Sequence, residues 1–244
     1  MNLPLHWIAK IKFEDRKIER QNKNFFQKHR LLTINLAIAV LALHGFAFVM
    51  RNVLDGDSLK LDEKIFLMFR DTDDITSPWG PPYLEEMMRD ITALGGTAVL
   101  TLLIIVTTIY MLARKRKGQA LYLFCAALSG MIVSNLIKLG IDRPRPDLVP
   151  HGSITYLPSF PSGHSLMSAV VYLTLGALLA ETHKNTRMKS YFIFIAAIVV
   201  IAIGISRVYL GVHWPSDVIA GWLIGAAWAL IFWSINHYFK IRQL

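Results

Sequence analysis

The sequence is short of charge and almost without cysteine. Only 18% of its 244 residues are Asp, Glu, Lys or Arg, where a soluble domain would carry about a quarter. Its one cysteine, Cys125, excludes an internal disulfide framework and a thiolate zinc cluster. Acidic residues are the scarcer sign, 17 against 26 Lys and Arg, which leaves a formal net charge of +9. Such a surplus suits nucleic acid or an anionic membrane surface, and its distribution along the chain has to decide. With 54% hydrophobic residues, the chain is too apolar for intrinsic disorder.

What it has in quantity is long uncharged stretches. Leu31–Met50, Ile91–Ala113, Gly118–Ile137, Leu148–Ala180, Ser190–Ser206 and Val218–Phe239 contain no Asp, Glu, Lys or Arg. A helix rises about 1.5 Å per residue, so about 20 residues cross the hydrocarbon core of a bilayer. The fourth stretch is interrupted by Pro150, Pro158, Pro161 and Gly163, so its helix is expected to start near Ser165. The fold class read from this pattern is all-α: an integral membrane bundle of six transmembrane helices. The spans fall at about 31–50, 91–113, 118–138, 165–180, 190–206 and 217–239. Residues 1–30 form a basic N-terminal segment, and 31–240 form the six-span domain. The first span is read as a retained anchor, because its long flank carries Glu14, Asp15 and Glu19 and no small-residue cleavage site follows it.

Lys and Arg then orient the bundle. Residues 1–30 hold eight, 114–117 four, 184–189 three and 240–242 two, seventeen of the 26 in all. With six spans these segments share one side, and the positive-inside rule makes that side cytoplasmic, both termini included. The basic surplus therefore serves topology and anionic headgroups, and a nucleic-acid partner is excluded. Segment 51–90 has ten acidic residues against five basic ones and falls outside. In it Leu61, Ile65, Met68 and Phe69 recur at helical spacing, as do Leu84, Met87, Met88 and Ile91. Such helices either lie on the outer membrane surface or pack as loop helices on their neighbours.

The chemistry-bearing residues collect on that outer side. Lys138 ends span three, and Arg143, Arg145 and Pro161-Ser162-Gly163-His164 occupy the second outer connection, which also contains Thr155. Arg207 ends span five, and His213 and Asp217 open span six; Asn185 lies on the opposite side. Charges at span ends ordinarily snorkel to the interface or build a site. Three cations, a hydroxyl and backbone N–H groups at a helix start describe a phosphate cradle. Two histidines suit nucleophile and acid roles near neutral pH. His213 and Asp217 are four residues apart, so at a helix start the carboxylate can hold the imidazole in one tautomer.

Lys138-x6-Arg145-Pro146, then Pro161-Ser162-Gly163-His164, then Ser206-Arg207-x5-His213-x3-Asp217 resembles the three-part signature of the type 2 phosphatidic acid phosphatases. These lipid phosphate phosphatases share their site with the vanadium haloperoxidases. Every fixed position of the pattern matches. The resemblance implies His213 as the nucleophile that becomes a phosphohistidine, Asp217 as the residue that orients it, and His164 as the proton donor to the leaving oxygen. It implies Lys138, Arg145, Arg207, Ser162 and the Gly163 amide as phosphate-binding groups. Arg143 falls outside the spacing, as a rim charge or an alternative ligand. No metal and no other cofactor is expected, since the only carboxylate within the motifs, Asp217, is taken by His213. Asp142 and Asp147 are expected to pair with the neighbouring arginines.

The function expected is a metal-independent hydrolase that removes phosphate from an amphiphilic lipid at the outer face of a bacterial inner membrane. Polyprenyl diphosphate, phosphatidylglycerophosphate, phosphatidic acid and lipid A phosphates are the substrates the resemblance offers. Its partners would be that lipid phosphate and membrane lipid, with no obligatory protein partner. A lipid phosphotransferase would share the same motifs. A non-catalytic phosphate-lipid transporter or binder would need the cations but not the His213–Asp217 dyad, and transport sites usually sit at mid-membrane.

Overall fold

The computed structural model describes the backbone of residues 5–149 and 158–242 and the side chains of 30–149 and 158–239. Residues 1–4, 243–244 and 150–157, which include Pro150 and Thr155, lie outside the described residues. Among the described residues eight helices follow one another: α1 Leu5–Leu54, α2 Leu59–Leu67, α3 Pro82–Ala93, α4 Thr97–Ala113, α5 Lys117–Gly140, α6 Gly163–Glu181, α7 Thr186–Tyr209 and α8 Pro215–Arg242. No strand occurs among the described residues; a single β-bridge joins Arg70 and Pro78.

Among the described residues five segments are long and apolar enough to cross a membrane: Arg30–Leu54 of α1, α5, α6, α7 and Pro215–Phe239 of α8. The sixth candidate is a bent pair, α3 with α4, which passes the same test of length and apolarity only when the two are taken together. One continuous span over 91–113 was expected, but the chain breaks after Ala93 and turns by 43° before Thr97. The break falls at Gly95-Gly96, and the crowding there explains why a glycine is needed. A Cβ on Gly95 would sit 2.5 Å from Ile203 Cγ2 and 3.3 Å from His164 Cδ2. Without side chains, this corner can press against α6 and α7.

The helix ends follow local chemistry. Ser162 is extended and its Oγ accepts from the Ser165 amide, so α6 starts at Gly163, two residues before the expected Ser165. Asn185 caps α7 through the Arg187 amide at 2.9 Å. Pro215 opens α8, where its missing N–H costs nothing. After α5 the backbone goes extended at Ile141, and Pro144 and Pro146 forbid a return to helix.

α6 is the central helix, packed against α5, α7 and α8. Over half of its apolar stretch, 56%, is buried, against 6% for α1, which lies along α8 at the edge. Two glycines make the α6–α8 contact close. A Cβ on Gly221 would meet the Ser162 carbonyl at 2.8 Å, and one on Gly225 would meet the Leu166 carbonyl at 2.5 Å.

Of the two readings for segment 51–90, α2 favours packing on the protein. The residues it buries are Asp62 and Phe66, while Leu61 and Met68 point outward. Phe66 packs with Val149, Val208, Trp214 and Val218. A carboxylate enters the protein alongside it.

Candidate active site

The ends of five elements meet at one end of the bundle. Lys138 sits in the last turn of α5, Gly163 and His164 in the first turn of α6, and Arg207 in the last turn of α7. Arg145 comes from the α5–α6 connection and His213 from the turn before α8. These six line one cavity of about 670 Å³. The same cavity continues between α4 and α5 along Leu100, Ile104, Ile105, Phe124, Leu128 and Met131. Charged at one end and mostly apolar along its length, it has the profile of a phosphate with a hydrocarbon tail.

Each cation is held by the protein. Lys138 Nζ donates to the Pro158 carbonyl at 2.7 Å, and Arg145 Nη1 to the Val212 carbonyl at 2.6 Å. Arg207 Nη1 donates to Thr92 Oγ1 at 3.0 Å, which ties α7 to α3. Ser162 stands behind the wall rather than in it. It is fully buried, its Oγ caps α6, and its amide donates to the Asp217 carbonyl at 3.0 Å.

His213 is 2% exposed and its two ring nitrogens face different surroundings. Nδ1 lies 3.4 Å from Asp217 Oδ2 and 3.3 Å from Ser159 Oγ; Nε2 lies 3.3 Å from Arg145 Nη1, on the cavity side. With Nδ1–H donating to the carboxylate, Nε2 keeps its lone pair for the cavity. Burial lowers the His213 pKa below the ordinary histidine value of 6.5, against the opposing hydrogen bond and charge of Asp217; Arg207 and Arg145 lower it further. A neutral imidazole at neutral pH follows.

Asp217 is fully buried and heavily used. Oδ2 accepts from Ser159 Oγ, from the Trp214 amide at 2.9 Å and from His213. Oδ1 accepts from Arg143 Nη1. Arg143 is therefore not a rim charge. Its side chain is only 10% exposed, and its other nitrogen, Nη2, donates to Asp62 Oδ2 at 2.7 Å. Nor do Asp142 and Asp147 partner the arginines as expected. Both are exposed and form no ion pair among the described residues. The carboxylates that reach Arg143 come from α2 and α8, where burial makes the pairing count.

Several neighbours escaped the sequence reading. Ser159, Thr92 and Ser216 carry no local signal, because each matters only through a partner on another element. Asp62 did leave one. It stands four residues before Phe66 and seven before Phe69, a carboxylate on a hydrophobic stripe. Among the described residues no three His, Cys, Asp or Glu side chains gather as a metal-binding group.

Comparison with known proteins agrees with this geometry. Phosphatidylglycerophosphatase B of Bacillus subtilis (strain 168) is 34% identical over 147 residues, covering 59% of this chain and 71% of that protein. A lipid A 1-phosphatase of Rhizobium etli is 30% identical over 174 residues, 62% of this chain and 71% of its own. The crystal structure of a transmembrane PAP2 type phosphatidylglycerolphosphate phosphatase from Bacillus subtilis superposes with a TM-score of 0.68 at 26% identity. That match covers 84% of this chain and 96% of the other. The sequence profile of the PAP2 superfamily matches residues 119–241, which contain all three motifs. By its sequence, its helices and its solved structural neighbour, this membrane-spanning chain belongs to the PAP2 superfamily.

Proposed function

We propose that this PAP2 phosphatase removes the phosphate of a membrane lipid through a phosphohistidine on His213, at the outer face of the membrane. One observation carries the reading: Lys138, Arg145, His164, Arg207 and His213 line the polar end of a cavity whose remaining wall, Thr97, Thr101, Ser134 and Asn135 apart, is apolar and lies between two spans. A phosphate at that end leaves a lipid tail against Leu100, Ile104 and Leu128, so the substrate need not leave the bilayer. The relatives' names, phosphatidylglycerophosphatase and lipid A 1-phosphatase, support a lipid phosphate monoester.

In this reading Lys138, Arg145, Arg207 and the Gly163 amide bind the phosphoryl oxygens and neutralise their charge. Ser162 contributes by capping α6, which holds the helix start and its amides in place. Nε2 of His213 attacks phosphorus, and the bond to the lipid oxygen breaks. His164 donates a proton to that oxygen, and the lipid alcohol departs. The phosphorylated ring carries a positive charge that Asp217 balances. Water then attacks the phosphohistidine and yields its proton to His164. Inorganic phosphate leaves, and both histidines return to their starting states.

No step needs a metal, because fixed cations surround the phosphate. Parity supports the outer face. The site collects the C-terminal ends of α5 and α7 and the N-terminal ends of α6 and α8, while the Lys- and Arg-rich connections lie at their other ends. Residues 31–240 would then be the phosphatase domain of an inner-membrane protein, and 1–30 its cytoplasmic basic segment.

The test is phosphate release from a panel of lipid phosphates by detergent-purified protein in excess EDTA, with and without vanadate. Turnover that survives EDTA and is inhibited by vanadate is expected. Loss in EDTA restored by magnesium would overturn the metal-free chemistry. Product phosphate appearing only on an added lipid acceptor would make the enzyme a transferase.

A further inference from the structure

We infer that Asp62, on the outer helix α2, is a positioning residue of the active site that acts on His213 through Arg143 and Asp217. The inference rests on the phosphohistidine reading above, to which it adds a residue outside all three motifs.

The contact chain is continuous. Asp62 is 2% exposed and its carboxylate accepts three hydrogen bonds: Arg143 Nη2 at 2.7 Å and Ser216 Oγ at 2.6 Å on Oδ2, and the Ser216 amide at 2.8 Å on Oδ1; its own amide donates to the Ser58 carbonyl at 2.9 Å. Arg143 in turn gives Nη1 to Asp217 Oδ1 and to Ser216 Oγ, the latter at 2.7 Å, and its guanidinium lies over the Trp214 ring at 5.8 Å. Two carboxylates from α2 and α8 thus share one buried arginine.

Two physical consequences make this more than an anchor for α2. The first is aim. The His213–Asp217 distance of 3.4 Å is long for a hydrogen bond, and Oδ2 has two better-placed donors in Ser159 Oγ and the Trp214 amide. A carboxylate rotates as a unit, so where Oδ2 points depends on what grips Oδ1. That grip is Arg143, and Asp62 fixes where Arg143 sits. The second is charge. Asp62, Arg143 and Asp217 together carry one net negative charge, which matches the single positive charge of a phosphorylated imidazole. Without Asp62 the group is neutral, and the intermediate on His213 loses its counter-charge in a site where water does not screen it.

The experiment uses the full chain in detergent. Asp62→Asn keeps the shape and removes the charge. Its kcat should fall at least tenfold per folded molecule with KM within twofold, since substrate contacts are untouched. In an Arg143→Met background the same change should have little further effect, because the link is already cut. The ¹⁵N resonances of His213 should show one tautomer, Nδ1–H, in the parent and a mixture in Asp62→Asn. A kcat within twofold of the parent, equal losses in both backgrounds, or an unchanged tautomer would each overturn the inference and leave α2 as a structural anchor. Should Asp62→Asn not fold, Ser216→Ala decides. It removes the hydroxyl shared by Asp62 and Arg143, and should lower kcat several-fold at constant KM; an unchanged kcat would overturn the inference. A parent protein inactive on every lipid phosphate would instead refute the proposed function, while the tautomer measurement still decides the role of Asp62.

Discussion

At the scale of single residues, the site is a set of groups whose properties come from burial rather than from their chemical type. His213 is the plainest case. An exposed histidine would be partly protonated near pH 6.5, whereas burial holds this one neutral. Its folded-state pKa is lowered, so the reactive form persists as pH falls and is lost only below the ordinary histidine value. The acid limb of kcat/KM, corrected for the substrate's own ionisation, should therefore lie below pH 6.5; a limb at or above that value would contradict the burial argument. Replacing His213 by Ala should lower turnover by about a thousandfold or more while lipid phosphate still binds, because the cations remain. Retention of a tenth of parental turnover would remove His213 from the nucleophile's role. His164→Ala should hurt less when the leaving group is an aryl oxide, which departs without much help from an acid.

At the scale of elements, the site depends on how closely helices approach. Gly221 and Gly225 stand four apart on α8, a spacing that brings helix backbones together in membranes. Here they let α8 lie against the start of α6, and Ser162 and Asp217 touch through their backbones. The obstacle to a side chain at Gly225 is the Leu166 carbonyl, which cannot swing aside as a flexible side chain would. Gly225→Ala should destabilise the protein by about 1–3 kcal/mol, seen as a lower Tm in detergent. An unchanged Tm would mean the two helices have room to separate. The α3–α4 corner is a second case. The apolar run over 91–113 was legible, but its break was not, because hydropathy is blind to a bend and only the crowding of Gly95 by Ile203 and His164 reveals it.

At the scale of the whole molecule, charge and chemistry separate to opposite ends of the bundle. The prediction is about sidedness. In a Cys125→Ser background, a cysteine at Asp147, exposed in the connection that carries Arg145, should react with an impermeant maleimide in intact spheroplasts. One at Lys184, exposed between α6 and α7, should react only after lysis. The reverse order would put the active site at the cytoplasmic leaflet. Equal labelling at both positions would mean an even number of spans between them, so that α6 does not cross the membrane as a single span.

The helical membrane class, the grouping of the site residues at one membrane face and the three motifs were legible in the linear chain. Uncharged runs long enough to span a bilayer leave little choice but helices, since no other single segment can satisfy its own backbone in lipid. Parity of the spans then brought Lys138, Arg145, His164, Arg207, His213 and Asp217 to one face, because side-chain type and linear spacing carry that information without reference to packing. Tertiary structure alone decided who holds whom. Arg143 was legible as a basic residue, yet its partners are Asp62, 81 positions away, and Asp217, 74 positions away. Ser162, expected among the phosphate-binding groups, is buried with its Oγ capping α6, while Ser159, with no motif of its own, reaches Asp217. Hydrogen bonds across helices depend on where backbones come to rest to within an ångström, and that is set by the summed packing of the bundle, which no local stretch of sequence encodes.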